Sequence, residues 1–313
     1  MSITVLKPGL QTTLQSRPRV GLRHYGVPAS GAADPLSLAL ANRLVANSWD
    51  AAALEVTLLG PTLRLNIDCA IAVAGANFDV DLNKDAIPLH ETVFAAAGDV
   101  LSVGGSAKGA RCYIAFSGGL GATEVLGSSS TYLAGELGGL QGRALQQGDE
   151  LRISPERVAG LCTPAEFRIP MSTSWALRVC ESFETSRLTG DSRERLFESN
   201  WTVGRRADRM GLQLEGARLD ISSDGRMPSA AVFPGTVQCP ENGAPFVLSV
   251  DAGTVGGYPR VAQVVRADRH LLGQLKSGDH VRLLHREAHV TTVDLRAKLT
   301  YWRGWLPDIE QIV

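Results

Sequence analysis

Three stretches carry one pattern: AGDVLSV (97–103), QGDELRI (147–153) and SGDHVRL (277–283). Each sets Gly-Asp ahead of a run that alternates apolar and polar residues. Gly enters positive φ without steric cost, and an Asp carboxylate accepts from backbone N–H groups close by, so the dipeptide makes a tight turn. Alternation of period two then reads as a strand with one buried face. A second echo pairs LLGPTLRL (58–65) with QLEGARLDI (213–221). Together they predict a mainly β chain with a few helices, built as two related barrel halves.

Other strand signals agree. TLRLNI (62–67), AIAVAG (70–75), CYIAF (112–116), ALRVC (176–180), PFVLSV (245–250) and HVRLLH (280–285) are short, apolar or β-branched, and bounded by Gly, Pro or Asp. The boundary is expected in ISPERVAGLCTPAEFRIPMSTS (153–174), where Pro and mixed polar residues interrupt the strands. The expected division is a first barrel region over 1–155 with one early helix, a linker over 156–174, and a second barrel region over 175–313. The last region closes on a helix, with Leu295, Leu299 and Trp302 at helical spacing.

The early helix follows HYGVPASGAADPLSLALANRL (24–44). Asp34 reads as the N-cap and Pro35 as the first helical residue, since Pro has no N–H to leave unpaired. Leu36, Leu40 and Leu44 lie on one face, and Asn47 is placed for a left-handed C-cap. The loop delivers the chain to a helix N-terminus, where anions are favoured. It can serve as a turn, as a ligand wall, or as both.

Bulk properties narrow the class. The chain has 313 residues, 44% of them hydrophobic, and a formal net charge of −1, so neither a nucleic-acid nor an acidic-membrane partner is implied. Of 31 basic residues, 26 are Arg. The five Cys form no Cys-x-x-Cys pair, the start lacks an apolar signal core, and no apolar run is long enough to span a bilayer. A cytoplasmic, reducing location is expected.

Candidate chemistry concentrates in a few places. FSGGLGATEVLGSSSTYLAGELGGLQGRALQQGD (116–149) is Gly-rich but contains no Lys and matches neither a P-loop nor a dinucleotide fingerprint. Its hydroxyls at Ser128 and Thr131, with Arg143 downstream, can bind a carboxylate or phosphate; the alternative is a set of barrel corners. RRADRMG (205–211) offers Arg209 as an oriented anion ligand with Asp208 holding it. VDAGTVGGYPR (250–260) presents Tyr258 from a Gly-rich turn. His285 and His289 fall in or after a strand, where residues four apart are about 13 Å apart, so no metal site is expected.

Eight motifs in order resemble one family: GVPASGAAD (26–34), ANRLVAN (41–47), LEVTLLGP (54–61), LGSSST (126–131), GGLQGR (138–143), DRMG (208–211), PGTVQCP (234–240) and GGYPR (256–260). The family contains the C component of bacterial ATP-dependent 5-oxoprolinase, the Kip antagonist protein, and the second part of the urea carboxylase carboxyltransferase domain (the second component of allophanate hydrolase). The resemblance implies two linked cyclophilin-like β-barrel regions. It also implies a cyclophilin-like B component and an A component as partners, ATP as cosubstrate at a partner interface, and an amide or lactam substrate. On that footing Arg209 is the anion clamp and Asp208 its orienting or acid–base partner. Gln238 and Tyr258 line the same pocket, and Arg23, His24, Tyr25 and the Asp34 cap form another wall.

Two other activities follow from the same resemblance. One is a carboxyltransferase component acting on urea or a related amide, with biotin carried by another protein. The other is a non-catalytic antagonist of a Kip-inhibitor-like regulator of a histidine kinase. The chain departs from the family pattern at Ser16 and Pro18, where Asp and Gly are usual, at Ala207, where Ser is usual, and at Glu181-Ser182, where Gly-Pro is usual.

Overall fold

The computed structural model describes residues 2–222 and 227–313. The described residues form two compact units: 2–19, 30–171 and 302–312 in one, and 20–29, 172–222, 227–301 and 313 in the other. The sequence-based division into 1–155, 156–174 and 175–313 is contiguous, whereas the units exchange the short segments 20–29 and 302–312. The expected linker is also anchored. Leu161 O accepts from Thr92 N at 2.9 Å, and Thr163 N donates to His90 O at 2.9 Å. These bonds tie the segment to the first unit up to residue 171.

The first unit contains strands β1 (Ser2–Lys7), β2 (Gln11–Gln15), β3 (Ala53–Thr57), β4 (Thr62–Leu65), β5 (Cys69–Leu82), β6 (Asp85–Ala86), β7 (Thr92–Ala95), β8 (Val100–Phe116) and β9 (Glu150–Arg152). Among the described residues they make one curled sheet ordered β2-β3-β8-β4-β1-β9, with β5 on β8 and with β6 and β7 on β5. The short AIAVAG and CYIAF strands read from the sequence are parts of β5 and β8. These long strands stay paired through register shifts between Gly75 and Val80. Gly75 has φ +115°, and a Cβ there would lie 2.7 Å from Arg111 O, so the bend excludes any side chain. Val5, Leu14, Val56, Leu63, Ile71, Ile114 and Phe116 are among the buried residues that fill the sheet's concave face. Helix α1 (Pro35–Leu44) packs on β5 and β8.

The second unit contains β10 (Ser174–Glu181), helix α2 (Gly190–Glu198), β11 (Asn200–Ala207), β12 (Gly211–Glu215), β13 (Ala230–Ala231), β14 (Thr236–Gln238), β15 (Phe246–Leu248), β16 (Val255–Gly256), β17 (Arg260–Val264) and β18 (His280–His285). Seven of these close a barrel in the order β10-β17-β14-β15-β12-β11-β18, sealed by the parallel pair of β18 with β10. Alternate residues Trp175, Leu177 and Val179 point inward, as do Trp201 and Val203, and Val281 and Leu283. Strands β13 and β16 form a separate ribbon. Helix α3 (Ala288–Arg303) half-buries Leu295 and Leu299; its end, with the buried Trp302, and the short α4 (Ile309–Ile312) belong to the first unit.

The three Gly-Asp turns fold alike. Gly98, Gly148 and Gly278 all have φ between +89° and +99°. Asp99, Asp149 and Asp279 each accept on Oδ2 from the backbone N–H three residues earlier, at Ala96 (2.8 Å), Gln146 (2.7 Å) and Lys276 (3.1 Å). β8, β9 and β18 start directly after them. One local rule, Gly for positive φ and Asp as acceptor, thus starts a strand in both units.

Candidate active site

Strands β11 and β12 are joined by Asp208-Arg209-Met210, and the chemistry of each residue there differs from the sequence reading. The Asp208 carboxylate accepts from Met210 N (2.7 Å) and Gly211 N (3.2 Å), so it builds the turn. The carboxylate that holds Arg209 is Asp251, bound at Nε (2.7 Å) and Nη2 (3.0 Å). Both side chains are only 4% exposed. This corrects the expected Asp208–Arg209 pair. Asp208 Oδ1 takes both local backbone donors, whereas Asp251 arrives from another loop and is tied by its own N–H to Arg209 O (2.9 Å). Gly211 is obligatory, because a Cβ would meet the Phe246 ring at 2.3 Å and Val247 O at 2.7 Å.

The loop carrying Asp251 continues to the Gly-rich turn. Gln238 is buried and its Nε2 donates to Tyr258 O at 3.2 Å. Gly256 leaves room for that amide, since a Cβ would lie 2.5 Å from Nε2. The Tyr258 side chain is about half exposed, so its hydroxyl is open to a ligand. Next along β17, Arg260 forms a fork with Glu184 (2.7 and 2.8 Å), donates to Ala231 O (2.8 Å) and covers the Phe183 ring at 4.6 Å. The Arg260 guanidinium holds the Glu184 carboxyl below the usual carboxylate range.

Arg23, in the segment 20–29 of this same unit, reaches the ribbon. Its Nη2 donates to Val232 O and to Gly253 O (3.3 Å), and its guanidinium lies 5.3 Å from the Phe233 centroid. Its buried Nη1 has no hydrogen-bond partner among the described residues, and burial lowers its pKa. The His24 and Tyr25 rings lie 3.9 Å apart, tilted by 42°, with Tyr25 exposed. Arg23, Arg209, Gln238 and Tyr258 therefore meet on one run of chain, the 249–260 loop and the β13–β16 ribbon. Asp251, Glu184 and Arg260 escaped the sequence reading. Asp251 had no local signal, because its partner lies 42 positions earlier.

The expected contributors from the first unit are occupied by structural bonds. Asp34 is fully buried and caps α1, accepting from Ser37 N (3.1 Å) and Ser37 Oγ (2.6 Å). It is a cap and no ligand wall, because both oxygens are used. Its own N–H donates to Tyr113 Oη (2.8 Å), whose hydroxyl donates to Glu55 (2.7 Å). The left-handed residue after α1 is Ala46 (φ +56°) and not Asn47, which instead donates to Phe116 O and accepts from Gly118 N.

Ser128 Oγ donates to Arg17 O (2.6 Å) and Thr131 Oγ1 to Leu14 O (2.9 Å), with Ser128 and Thr131 both buried. The hydroxyl cluster thus zips the Gly-rich segment onto β2 and the turn after it, which corrects the expected anion site. Ser16 joins that zipper through its N–H to Ser130 Oγ (2.9 Å). Arg143 is locked in a fork with Asp149 (2.7 and 2.8 Å). At Gly138 and Gly139 the backbone is closely packed: a Cβ would strike Ser130 O at 2.4 Å or Thr131 Oγ1 at 2.0 Å.

Residues 25–285 match the carboxyltransferase domain family, subdomains A and B. The chain belongs to this family. It is 33% identical over 284 residues to the C component of 5-oxoprolinase from Escherichia coli, spanning 90% of each chain. It is also 32% identical over 304 residues to urea amidolyase of Lachancea kluyveri, spanning 90% of this chain but 17% of that one. The K. lactis urea amidolyase structure superposes with a TM-score of 0.89 at 27% identity, over 96% of this chain and 20% of that one. This carboxyltransferase domain thus corresponds to nearly the whole of a 5-oxoprolinase C component and to about a fifth of a urea amidolyase. No described helix is long and apolar enough to cross a membrane.

Proposed function

We propose that the chain is the C component of an ATP-dependent 5-oxoprolinase-like amidohydrolase, opening a lactam to an amino acid together with A-like and B-like partners. The observation that carries this reading is reciprocal length: 90% of the chain aligns with 90% of a 5-oxoprolinase C component. An unstrained lactam is a poor electrophile, and phosphorylation of its oxygen by ATP supplies the activation. The Gly-rich segment matches no P-loop fingerprint, so this reading puts ATP on a partner protein or its interface.

This chain's own residues hold the amide. The Tyr258 hydroxyl and the spare Arg23 Nη1 are donors for an oxygen that gains negative charge. The Arg209–Asp251 fork fixes the loop that presents Tyr258. Arg209 was expected as a clamp on substrate; paired and buried, it serves better as the loop's anchor.

The second reading, a carboxyltransferase acting on urea or a related amide, rests on the likeness to the K. lactis urea amidolyase structure. It requires biotin attached outside this sequence, which holds no biotin-attachment motif. Product analysis separates the two. Glutamate formed from 5-oxoproline and ATP by the assembled components upholds the first. Carboxylation of urea by carboxybiotin, without lactam opening, overturns it in favour of the second.

A further inference from the structure

A cavity of about 440 Å³ opens in the second unit at the end of β10, lined by Cys180, Glu181, Ser182, Phe183, Phe233, Gln263 and Arg269. That volume is ample for a small ligand. Arg269 is its unusual member. It sits in the 3₁₀ segment Arg266–Gly273, where its neighbours have partners. Asp268 pairs with Arg178 (2.5 Å), and His270 lies 3.0 Å from Lys298 Nζ. Arg269 Nε is buried without a hydrogen-bond partner, and no carboxylate among the described residues pairs with the side chain. The acidic groups close by are taken: Glu181 is bound by Arg193 and Glu184 by Arg260. The Cys180 thiol donates to Gln263 O (3.6 Å), and burial pushes its pKa up, so it brings no negative charge.

A buried N–H with no acceptor is costly, and Arg269 has no counter-ion among the described residues. An anion entering the cavity would relieve that cost. The walls specify its body. Phe183 and Phe233 are exposed, and each has one face against a guanidinium, Arg260 at 4.6 Å and Arg23 at 5.3 Å. Two rings and a half-buried guanidinium whose Nε lacks an acceptor suit a flat molecule with a planar acid.

We infer that this cavity is a binding site for a small carboxylate carried on a flat ring, with Arg269 as the anchor for the acid and Phe183 and Phe233 as the walls. Glu181-Ser182, which stand where the family usually has Gly-Pro, form part of its lining. 5-Oxoproline belongs to this ligand class, but the inference stands without the oxoprolinase reading.

Isothermal titration of the purified full chain tests it with two acids, benzoate and L-5-oxoproline, and their neutral twins, benzamide and pyrrolidin-2-one. The expected result is saturable one-to-one binding of the acids, with the twins at least tenfold weaker. Arg269→Gln should lose at least tenfold in acid affinity while its ligand-free melting temperature stays level or rises, because an unpaired buried charge is gone. Benzoate binding without 5-oxoproline would uphold the site and leave the oxoprolinase reading, whose amide is held at Tyr258 and Arg23, to its own test. No binding of either acid, equal binding of the twins, or unchanged affinity in Arg269→Gln would overturn the inference.

Discussion

Asp251→Asn is the most informative single change in the second unit. It removes the carboxylate charge that balances the buried Arg209 fork, at 2.7 and 3.0 Å. Breaking a buried pair from one side costs about 3–5 kcal/mol, because the other charge is left uncompensated. For a unit of this size each kcal/mol moves the melting temperature by roughly 3–4 °C, so the transition should fall by about 9–20 °C. The backbone bond from Asp251 N to Arg209 O survives the change, so the fold should persist at low temperature. The double variant Arg209→Met, Asp251→Leu replaces both charges by apolar groups of similar volume, and should recover most of the loss. Thermal unfolding followed by circular dichroism reads all three chains. An Asp251→Asn transition within roughly 2–3 °C of wild type (under 1 kcal/mol), or a double variant as unstable as the single, would refute the buried-pair argument.

Further outcomes follow from other sites. Asp34→Ala removes the α1 cap and should cost about 1–2 kcal/mol in denaturant unfolding, with any activity of the folded complex unchanged. Gly211→Ala forces a Cβ against Phe246 and Val247 and should cost about 1–3 kcal/mol; a neutral result would show that the β12 turn relaxes freely. Burial and the Arg168 charge lower the His90 pKa from 6.5 to about 4. The unfolded chain then binds a proton between pH 6.5 and 4 that the folded chain refuses, so stability falls by about 3 kcal/mol as pH drops through that window. His90→Asn, which tolerates the positive φ there, should flatten that slope in pH-dependent melting. Tyr258→Phe should leave the melting temperature within about 2 °C and lower turnover of the assembled complex at least tenfold, about 1.4 kcal/mol; unchanged turnover removes the hydroxyl from the site.

The fold was largely legible because its signals are local. Gly-Asp turns, Asp34-Pro35 and alternating strands each act within a few residues, and all appear in the structure. The exchange of 20–29 and 302–312 between units was hidden, because it depends on contacts far apart in sequence. The site shows the same divide. Tyr258 stands on its Gly-rich turn and Gln238 reaches it from β14, yet Asp208 and Ser128 bind backbone groups that no motif reveals. Asp251 and Arg269 were missed for opposite reasons. One is defined by a distant partner, and the other by the lack of any among the described residues.

ADP release by this chain co-purified with its A-like and B-like partners, with and without 5-oxoproline, tests the central claim most directly. The account predicts release that requires 5-oxoproline and every component, and that stops when this chain is left out. A stable complex that releases no ADP with 5-oxoproline, or release undiminished without this chain, would contradict it.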